Sequence, residues 1–184
     1  LNEKPTAINL SKDSIDEGES AFLAVLSSDD PDLAAGDSHT YQFVVGDANN
    51  DNNLFGIDTR EDGSVILWGS NLITDYESKS SFKVLLKTTD SGDISFKDTL
   101  TINVNDINEK PTDINLSSLN FNENIELDSI ISTLTSNDQD DSETFTYTLI
   151  KGEGDNDNQL FSIDGDKLKI NSSPDYETKS SYNI

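Results

Sequence analysis

The stretch VNDINEKPTDINLS, from Val104 to Ser117, nearly repeats the stretch LNEKPTAINLS that begins at Leu1. Placing Leu1 on Ile107 aligns the two copies, and the match continues along the chain until DYETKSSYNI aligns with DYESKSSFKV. Self-similarity at a fixed spacing is typical of repeated domains. The sequence therefore predicts two tandem domains, residues 1–107 and residues 108–184.

Short segments that alternate apolar and polar residues fill each copy. In the first copy they include AFLAVLS, TYQFVV, SVILW and SFKVLLKTT, and turn-forming clusters such as GDANNDNN and DSGD separate them. This pattern is typical of strands. About seven strands in about 100 residues predict an immunoglobulin-like, Greek-key β-sandwich. The predicted fold class is all-β, with two tandem seven-stranded sandwiches.

The second copy ends at Ile184, inside the strand that matches SFKVLL. We therefore expect the second sandwich to be truncated, with its last strand missing, and the chain to be part of a longer array of repeats.

The charge of the chain restricts its partners. With 36 acidic and 12 basic residues among 184, the formal net charge is −24. Such a charge repels nucleic acid and anionic lipid, so we expect neither as a partner. No apolar run reaches the roughly 18 residues of a membrane helix, which predicts no direct membrane insertion.

The residues of the common catalytic sites are scarce. The chain has no cysteine, and its one histidine, His39, aligns with Phe145 of the second copy. No serine-centred nucleophile motif is present either. The sequence predicts that the protein is not an enzyme.

Acidic residues recur at matched positions beside the ends of the predicted strands. Successive strands run in opposite directions. Glu17, which precedes the second predicted strand, and the DYE motif should therefore both lie at the end of the first domain where the linker leaves. The D-x-D motif of the second domain should lie where the linker enters. This placement predicts a cluster of Glu17, Asp75, Glu77, Glu109 and Asp140. Calcium binds six to eight hard oxygen ligands and suits such a cluster.

Five motifs in fixed order now point to a family. IDE, D-x-D, DYE, TDSG and a closing D-x-N-E-x-P resemble those of an extracellular cadherin repeat, and the array is similar to bacterial cadherin-like tandem repeats. The resemblance covers essentially the whole chain. It implies a calcium-binding module of a bacterial cell-surface or secreted protein, extracellular and with a membrane-associated parent. Calcium would rigidify the linker for cell adhesion or for an extended stalk, with other cadherin-like repeats or a cell-surface protein as partners.

The resemblance also implies two to three Ca²⁺ ions at the junction, and it assigns their ligands. A first ion would be held by Glu17, Asp75, Glu77 and Glu109, a second by Glu17, Glu77, Glu109, Asp140 and the carbonyl of Ile107, and a third by Asn108, Asp138, Asp140 and the carbonyl of Lys110. Glu109 stands where the family usually has aspartate, and one residue is missing before Pro111.

Two half-sites follow from the same resemblance. The N-terminal half-site would lie at the end of the first domain where the chain enters it, and its residues would be Asn2, Glu3, Asp30, Asp32 and Asp90. Residues of the second domain would form the C-terminal one: Glu123, Asp175 and Glu177. Asp51 and Asp157, in loops rich in Asn and Gly, are either further calcium ligands or simply turn residues.

Strand alternation predicts an apolar patch on the outer face of the first domain. If Phe22, Ala24, Leu26, Val65 and Leu67 point inward, the outward residues are Leu23, Val25, Ile66 and Trp68, where the second copy has Lys169 and Asn171. Exposed apolar patches often mark binding surfaces, and tryptophan can stack on a sugar. The alternative function is therefore a carbohydrate-binding module of a polysaccharide-degrading system, with polysaccharide as the partner. If the register of the strands is shifted, or if a loop at Asn71 covers these residues, the apolar patch is not exposed.

Overall fold

The computed structural model describes residues 2–46, 49–140 and 144–184. The chain divides into two compact units, unit 1 from Leu1 to Ile107 and unit 2 from Asn108 to Ile184. Among the described residues, no helix has both the length and the apolar character needed to span a membrane.

Unit 1 consists of strands joined by turns, with short 3-10 turns at Leu33–Ala35 and Asn52–Leu54. Its strands are β1 Ala7–Leu10, β2 Ser14–Asp16, β3 Ala21–Asp29, β4 Thr40–Phe43, β5 Phe55–Thr59, β6 Val65–Ser70, β7 Ser81–Thr89 and β8 Ser95–Asn105. They form two four-stranded sheets, in the orders β1-β3-β6-β5 and β2-β8-β7-β4.

The first edge of the sandwich explains why the described residues of unit 1 form eight strands instead of the expected seven. The chain leaves β1, which pairs antiparallel with β3, and passes through residues 11–13 into β2, which pairs parallel with β8. One edge segment thus contributes to both sheets. The prediction of an all-β sandwich is confirmed.

The core of unit 1 lies between its two sheets and follows the predicted alternation. Phe22, Ala24 and Leu26 of β3 are buried, and so are the alternate residues of β7. The Phe55 ring meets Phe22 and Phe82 edge to face, with centroid distances of 6.2 and 6.0 Å. These aromatic contacts join the two sheets at one end of the core.

Unit 2 has one four-stranded sheet among its described residues. Its strands are β9 Asp113–Leu116, β10 Ile130–Asn137, β11 Phe161–Asp164 and β12 Lys167–Ile170, in the order β11-β12-β10-β9. Phe161, Leu168 and Ile170 form its buried centre, with the ring of Tyr182 packed against it. This sheet matches β1-β3-β6-β5 of unit 1.

The counterpart of the second sheet is not formed in the described part of unit 2. In unit 1, β4 pairs with residues 86–89 of β7, and β7 pairs with β8. Aligning DYETKSSYNI with DYESKSSFKV places Ile184 on Val84, so residues 86–89 of β7 have no counterpart up to Ile184. An apolar cavity of about 580 Å³ remains open between Leu134, Leu149 and Leu168.

We predict that Phe82→Ala destabilises unit 1 by about 3 to 5 kcal/mol, because it removes a buried ring and leaves a cavity. Urea denaturation followed by circular dichroism measures the loss. Thr99→Ala, an exposed change on the neighbouring strand β8, should cost less than about 1 kcal/mol. Equal losses for the two variants would contradict the packing described for the core.

Candidate functional site

Glu17 follows β2 and is only 9% exposed. Its Oε1 accepts a hydrogen bond from the Ile107 backbone N–H at 2.6 Å, and its Oε2 accepts one from the Tyr76 N–H at 3.0 Å. One carboxylate therefore holds three segments together: the end of β2, the chain after β8 and the turn before β7.

Strand direction explains which other carboxylates lie near Glu17. Since β2 and β8 are parallel, with Asp16 opposite Asn105, the residues that follow both strands lie side by side. Oxygen atoms of Glu17, Glu77 and Asp106 lie within 4.8 Å of one another. The structure thus brings together Glu17 and Glu77, as predicted, and adds Asp106. The parallel pairing of β2 and β8, which the sequence pattern does not reveal, is what places Asp106 there.

Asp75 has a different local role in the structure. Its carboxylate accepts hydrogen bonds from the backbone N–H of Ser78 at 3.1 Å and from the Ser78 hydroxyl at 2.9 Å. It therefore caps the turn before β7, beside Glu77. Asp75 does not belong to the three-carboxylate cluster found among the described residues of unit 1.

The predicted ligands of unit 2 form a compact group around the residues that precede β9. Since β9 and β10 are antiparallel, with Asp113 opposite Asn137, residues 108–112 lie beside residues 138–140. Asp140 Oδ2 accepts the Glu109 N–H at 2.8 Å, and the Asp140 N–H donates to Asp138 Oδ1 at 3.1 Å. The Asn108 amide donates to the Glu109 carbonyl, and Lys110 is exposed.

The second oxygen of Asp138 is the most informative atom in this group. Asp138 Oδ2 is buried and has no hydrogen-bond partner in the structure. Buried carboxylate oxygens are rarely left without a donor or a cation. The arrangement therefore suits a cation with a preference for oxygen ligands.

The N-terminal half-site repeats this geometry in unit 1. Asp32 Oδ2 accepts the Glu3 N–H at 2.6 Å, and the Asp32 N–H donates to Asp30 Oδ1 at 2.8 Å. Asp90, 5% exposed, accepts the Asn2 amide on one oxygen and the N–H groups of residues 92 and 94 on the other. The structure thus places all five predicted residues at one end of unit 1.

The C-terminal half-site repeats the geometry of Glu17. Glu123 Oε2 accepts the Tyr176 N–H at 3.0 Å. Oxygen atoms of Glu123, Asp175 and Glu177 lie within 4.8 Å of one another, and all three residues are exposed. The hydroxyl of Thr178 donates to Asp175 and holds the pKa of that carboxyl below its usual value.

Asp51 and Asp157, which the sequence left between calcium ligand and turn residue, each pair with a lysine. Lys79 donates to Asp51, and Lys179 donates to Asp157. The remaining oxygen of Asp157 accepts the Asn183 N–H at 2.8 Å, and Asp157 is 4% exposed. These lysines come from the repeated DYESK and DYETK motifs, so the turn interpretation is the better one.

The four residues of the predicted apolar patch form two cross-strand pairs on the outer face of unit 1. Leu23 lies opposite Trp68, and Val25 lies opposite Ile66. Leu23 and Trp68 are 47% and 39% exposed, but Ile66 is 8% exposed, so its expected surface exposure is wrong. The neighbours of Ile66 in register are Val25 and Asp58, which flank it on this face.

The indole of Trp68 lies over a glycine of the edge strand β5. A Cβ atom at Gly56 would come within 2.5 Å of Cε2 and Cζ2 of Trp68 and within 2.8 Å of its Nε1. An aromatic side chain that covers a cross-strand glycine stabilises an edge of a sheet. The pairing Ile163–Leu168 of unit 2 corresponds to the pairing Ile57–Leu67 of unit 1, so Lys167 and Lys169 match Ile66 and Trp68. The expected match to Lys169 and Asn171 is therefore wrong by two residues.

No family model matches the chain, and no curated protein matches it significantly. Solved structures do match. The protocadherin gammaB4 extracellular domain aligns with a TM-score of 0.63 and 20% identity, over 97% of this chain and 30% of that one. Human protocadherin-24 EC1-2 aligns with a TM-score of 0.58 and 22% identity, over 97% of this chain and 82% of that one.

The fold is that of cadherin extracellular domains. Protocadherin gamma C5 EC1-3 supports this statement as well, with a TM-score of 0.61 and 16% identity over 93% of this chain and 58% of that one. The predicted cadherin-type sandwich is confirmed. At these identities the similarity concerns the fold, and the bacterial origin stays a prediction.

We predict that Lys179→Met lowers the melting temperature at pH 7. The hydrogen bond from Lys179 lowers the pKa of Asp157 below its ordinary value of 3.8. A lowered folded pKa gives a stabilisation that is complete above the unfolded pKa and is lost as the pH falls through the folded pKa. The difference between wild type and variant should therefore narrow below pH 3.8.

Thermal unfolding of both proteins at pH 7 and at about pH 3 measures that difference. Lys151→Met, at an exposed position of unit 2, is the matched control and should behave like wild type. A constant difference at both pH values would contradict the ion pair.

We also predict energetic coupling between Gly56 and Trp68. Gly56→Ala should destabilise the wild type, because the new methyl group meets the indole. In a Trp68→Ala background the same change should cost little. A double-mutant cycle by urea denaturation should give a coupling energy of about 0.5 to 3 kcal/mol, and additive effects would contradict the contact.

Proposed function

We propose that the chain is a calcium-binding, cadherin-like module of a bacterial cell-surface or secreted protein, and that Ca²⁺ rigidifies the linker between its two units. The module would serve cell adhesion or form part of an extended stalk. The observation that carries the proposal is the pair of carboxylates that bind the linker backbone, Glu17 at Ile107 and Asp140 at Glu109.

The metal-ligand atoms of the residues proposed near the linker favour calcium over other metals. They are carboxylate, amide and carbonyl oxygens, without sulfur or imidazole. Calcium accepts six to eight such ligands at about 2.3 to 2.6 Å, while zinc and copper favour nitrogen and sulfur ligands. The buried and unpartnered Oδ2 of Asp138 supports a cation in its neighbourhood.

Charge repulsion gives the ion its mechanical role. The chain carries a formal net charge of −24, and carboxylates are concentrated on both sides of the linker. Like charges at short range repel, and a divalent cation between them turns that repulsion into attraction. Without the ion the linker would bend freely, and with the ion it would be held in one geometry.

The proposed ligands combine the prediction from sequence with one addition from the structure. Unit 1 contributes Glu17, Asp75, Glu77, Asp106 and the carbonyl of Ile107, and unit 2 contributes Asn108, Glu109, Asp138, Asp140 and the carbonyl of Lys110. We propose two to three ions. Asp75 would bind the metal through a carboxylate that also accepts hydrogen bonds from Ser78.

The two half-sites would bind calcium more weakly, because each has only part of a ligand set. The N-terminal one would use Asn2, Glu3, Asp30, Asp32 and Asp90, and the C-terminal one Glu123, Asp175 and Glu177. In an array, a neighbouring repeat would supply the missing ligands.

The proposed partners are other cadherin-like repeats or a cell-surface protein, and the proposed location is extracellular. One matched structure is a cis-dimer of protocadherin gammaB7 EC3-6, with a TM-score of 0.56 and 19% identity over 97% of this chain and 44% of that one. Repetition would let several weak contacts act together. The proposed role is binding, with no catalytic step.

The carbohydrate-binding alternative is less favoured. One part of the Trp68 indole lies over Gly56, and Ile66 offers almost no surface. These contacts explain the patch as a stabilised sheet edge. A polysaccharide pull-down with wild type and Trp68→Ala tests the point, and sugar binding lost only in the variant would restore the alternative.

We predict that millimolar Ca²⁺ raises the melting temperature and the length measured by small-angle X-ray scattering, and that EGTA reverses both. Extracellular calcium modules bind at about 10⁻⁴ to 10⁻³ M. At a concentration about tenfold above the Kd, each site adds about 1.4 kcal/mol of stability. Asp140→Ala should reduce both responses, because it removes a ligand and the contact to Glu109.

Asp58→Ala is the matched control. Asp58 is an exposed aspartate inside β5, and its replacement removes the same charge as Asp140→Ala. It should respond to calcium like wild type. An unchanged melting temperature and length in millimolar Ca²⁺ would refute the proposed function. An equal loss of response in both variants would show that calcium acts through general charge screening.

A further inference from the structure

The loop after β3 folds back on itself and places His39 beside two aspartates. Leu33 N–H donates to the Asp30 carbonyl, the 3-10 turn Leu33–Ala35 follows, and Gly36 reverses the chain with a left-handed φ of 97°. As a result, one ligand atom each from Asp30, Asp37 and His39 lie within 4.8 Å of one another.

Two of these side chains are deeply buried. The side chains of His39 and Asp30 are 5% and 0% exposed, and His39 Nε2 lies 3.0 Å from Asp30 Oδ2. The other oxygen of Asp30 accepts the Asp32 N–H at 2.8 Å. A carboxylate that contacts an imidazole out of solvent forms a preorganised pair of ligand atoms.

Asp37 supplies the independent observation. Its Oδ1 accepts the N–H of Ser38 at 2.8 Å, the N–H of Ser91 at 3.0 Å and the Ser91 hydroxyl. Its Oδ2 is buried and has no hydrogen-bond partner. The hydroxyl of Ser91 lowers the pKa of Asp37. A buried carboxylate oxygen without a donor calls for a positively charged ligand.

We propose that Asp30, Asp37 and His39 form a binding site for a divalent transition metal ion of the zinc class. The ligands would be His39 Nε2 and one oxygen from each aspartate, with water in the fourth position of a tetrahedron. Zinc binds imidazole nitrogen at about 2.0 to 2.1 Å and carboxylate oxygen at about 2.0 to 2.2 Å. The nitrogen ligand sets this site apart from the all-oxygen groups at the linker.

Metal binding through the lone pair of His39 Nε2 requires a neutral imidazole with its proton on Nδ1. Where Nε2 carries the proton in the contact with Asp30 Oδ2, that proton leaves to water and Nδ1 takes one from water, so the imidazole stays neutral. Ser91 binds Oδ1 of Asp37 from the turn between β7 and β8, which holds this carboxylate in place before the metal arrives. Outer contacts of this kind fix the ligands of metal sites.

The site belongs to unit 1 alone. Phe145 occupies the position of His39 in the second copy of the sequence, and phenylalanine offers no ligand. Asp30 is also a member of the N-terminal calcium half-site, so the two metals would compete for it. The zinc site does not depend on the calcium sites at the linker.

The composition of the chain makes the test direct. His39 is its only histidine, and it has no cysteine. An untagged chain titrated with Zn²⁺ should bind one ion by calorimetry, and the same titration should shift the imidazole signals of the single histidine in NMR. Co²⁺ in place of Zn²⁺ should give the visible absorption of a tetrahedral complex.

His39→Phe, which installs the residue of the second copy, and Asp37→Asn should each weaken Zn²⁺ binding by about tenfold or more. Asp58→Asn should bind like wild type, and so should Asp140→Ala, which separates this site from the calcium proposal. Circular dichroism verifies that the variants fold.

The zinc titration of the wild-type chain tests the proposal even if a variant fails to fold. Zinc binding with unshifted imidazole signals, or no zinc binding at micromolar concentrations, would overturn the proposal. Shifted imidazole signals with equal affinity in Asp37→Asn would overturn the assigned role of Asp37.

Discussion

A glutamate carboxylate that accepts backbone N–H groups is the interaction on which the ends of these units depend. Glu17 accepts the N–H groups of Ile107 and Tyr76, and Glu123 accepts the N–H of Tyr176, which matches Tyr76 in the repeat. In unit 1 the residues joined by Glu17 come from segments far apart in the chain. One buried carboxylate thereby fixes where β2, β7 and β8 begin or end.

The repeat in the sequence is also a repeat of backbone hydrogen bonds. The N–H of Glu3 donates to Asp32 as the N–H of Glu109 does to Asp140. The Thr6 N–H and the Thr112 N–H donate to the carbonyls at the ends of β3 and β10, both at 2.8 Å. The NEKPT stretch is therefore a linker that backbone hydrogen bonds also attach to the end of the neighbouring strand. Its acidic partners hold it in place, and we propose their remaining oxygens as ligand atoms for calcium.

Most of the fold of unit 1 could be predicted from the sequence, because strand alternation and turn residues are local signals. Phe22, Ala24 and Leu26 are buried as the alternation requires. The role of Asp106 could not be predicted in this way, since it depends on a parallel pairing between segments that begin the unit and end it. Ile66 is buried by neighbours on an outer face, which a period-two pattern does not reveal.

Side-chain contacts between residues far apart in the chain could not be predicted from strand alternation and turn residues either. Asp51 and Asp157 lie in loops typical of turns, and only the folded chain brings Lys79 and Lys179 to them. His39 aligns with Phe145 in the second copy, so the recurrence that located the acidic groups gives no signal for a site at His39. A residue present in one copy only is invisible to an argument from repetition, although its function can be specific to that copy.

The position of the single tryptophan has a practical consequence. Trp68 lies in unit 1, half-buried against Gly56, and the chain contains no other tryptophan. Its emission will therefore report the unfolding of unit 1 alone. Three of the five tyrosines, Tyr147, Tyr176 and Tyr182, lie in unit 2. Tryptophan fluorescence and total circular dichroism together will thus separate the melting of one unit from that of the other within an intact chain.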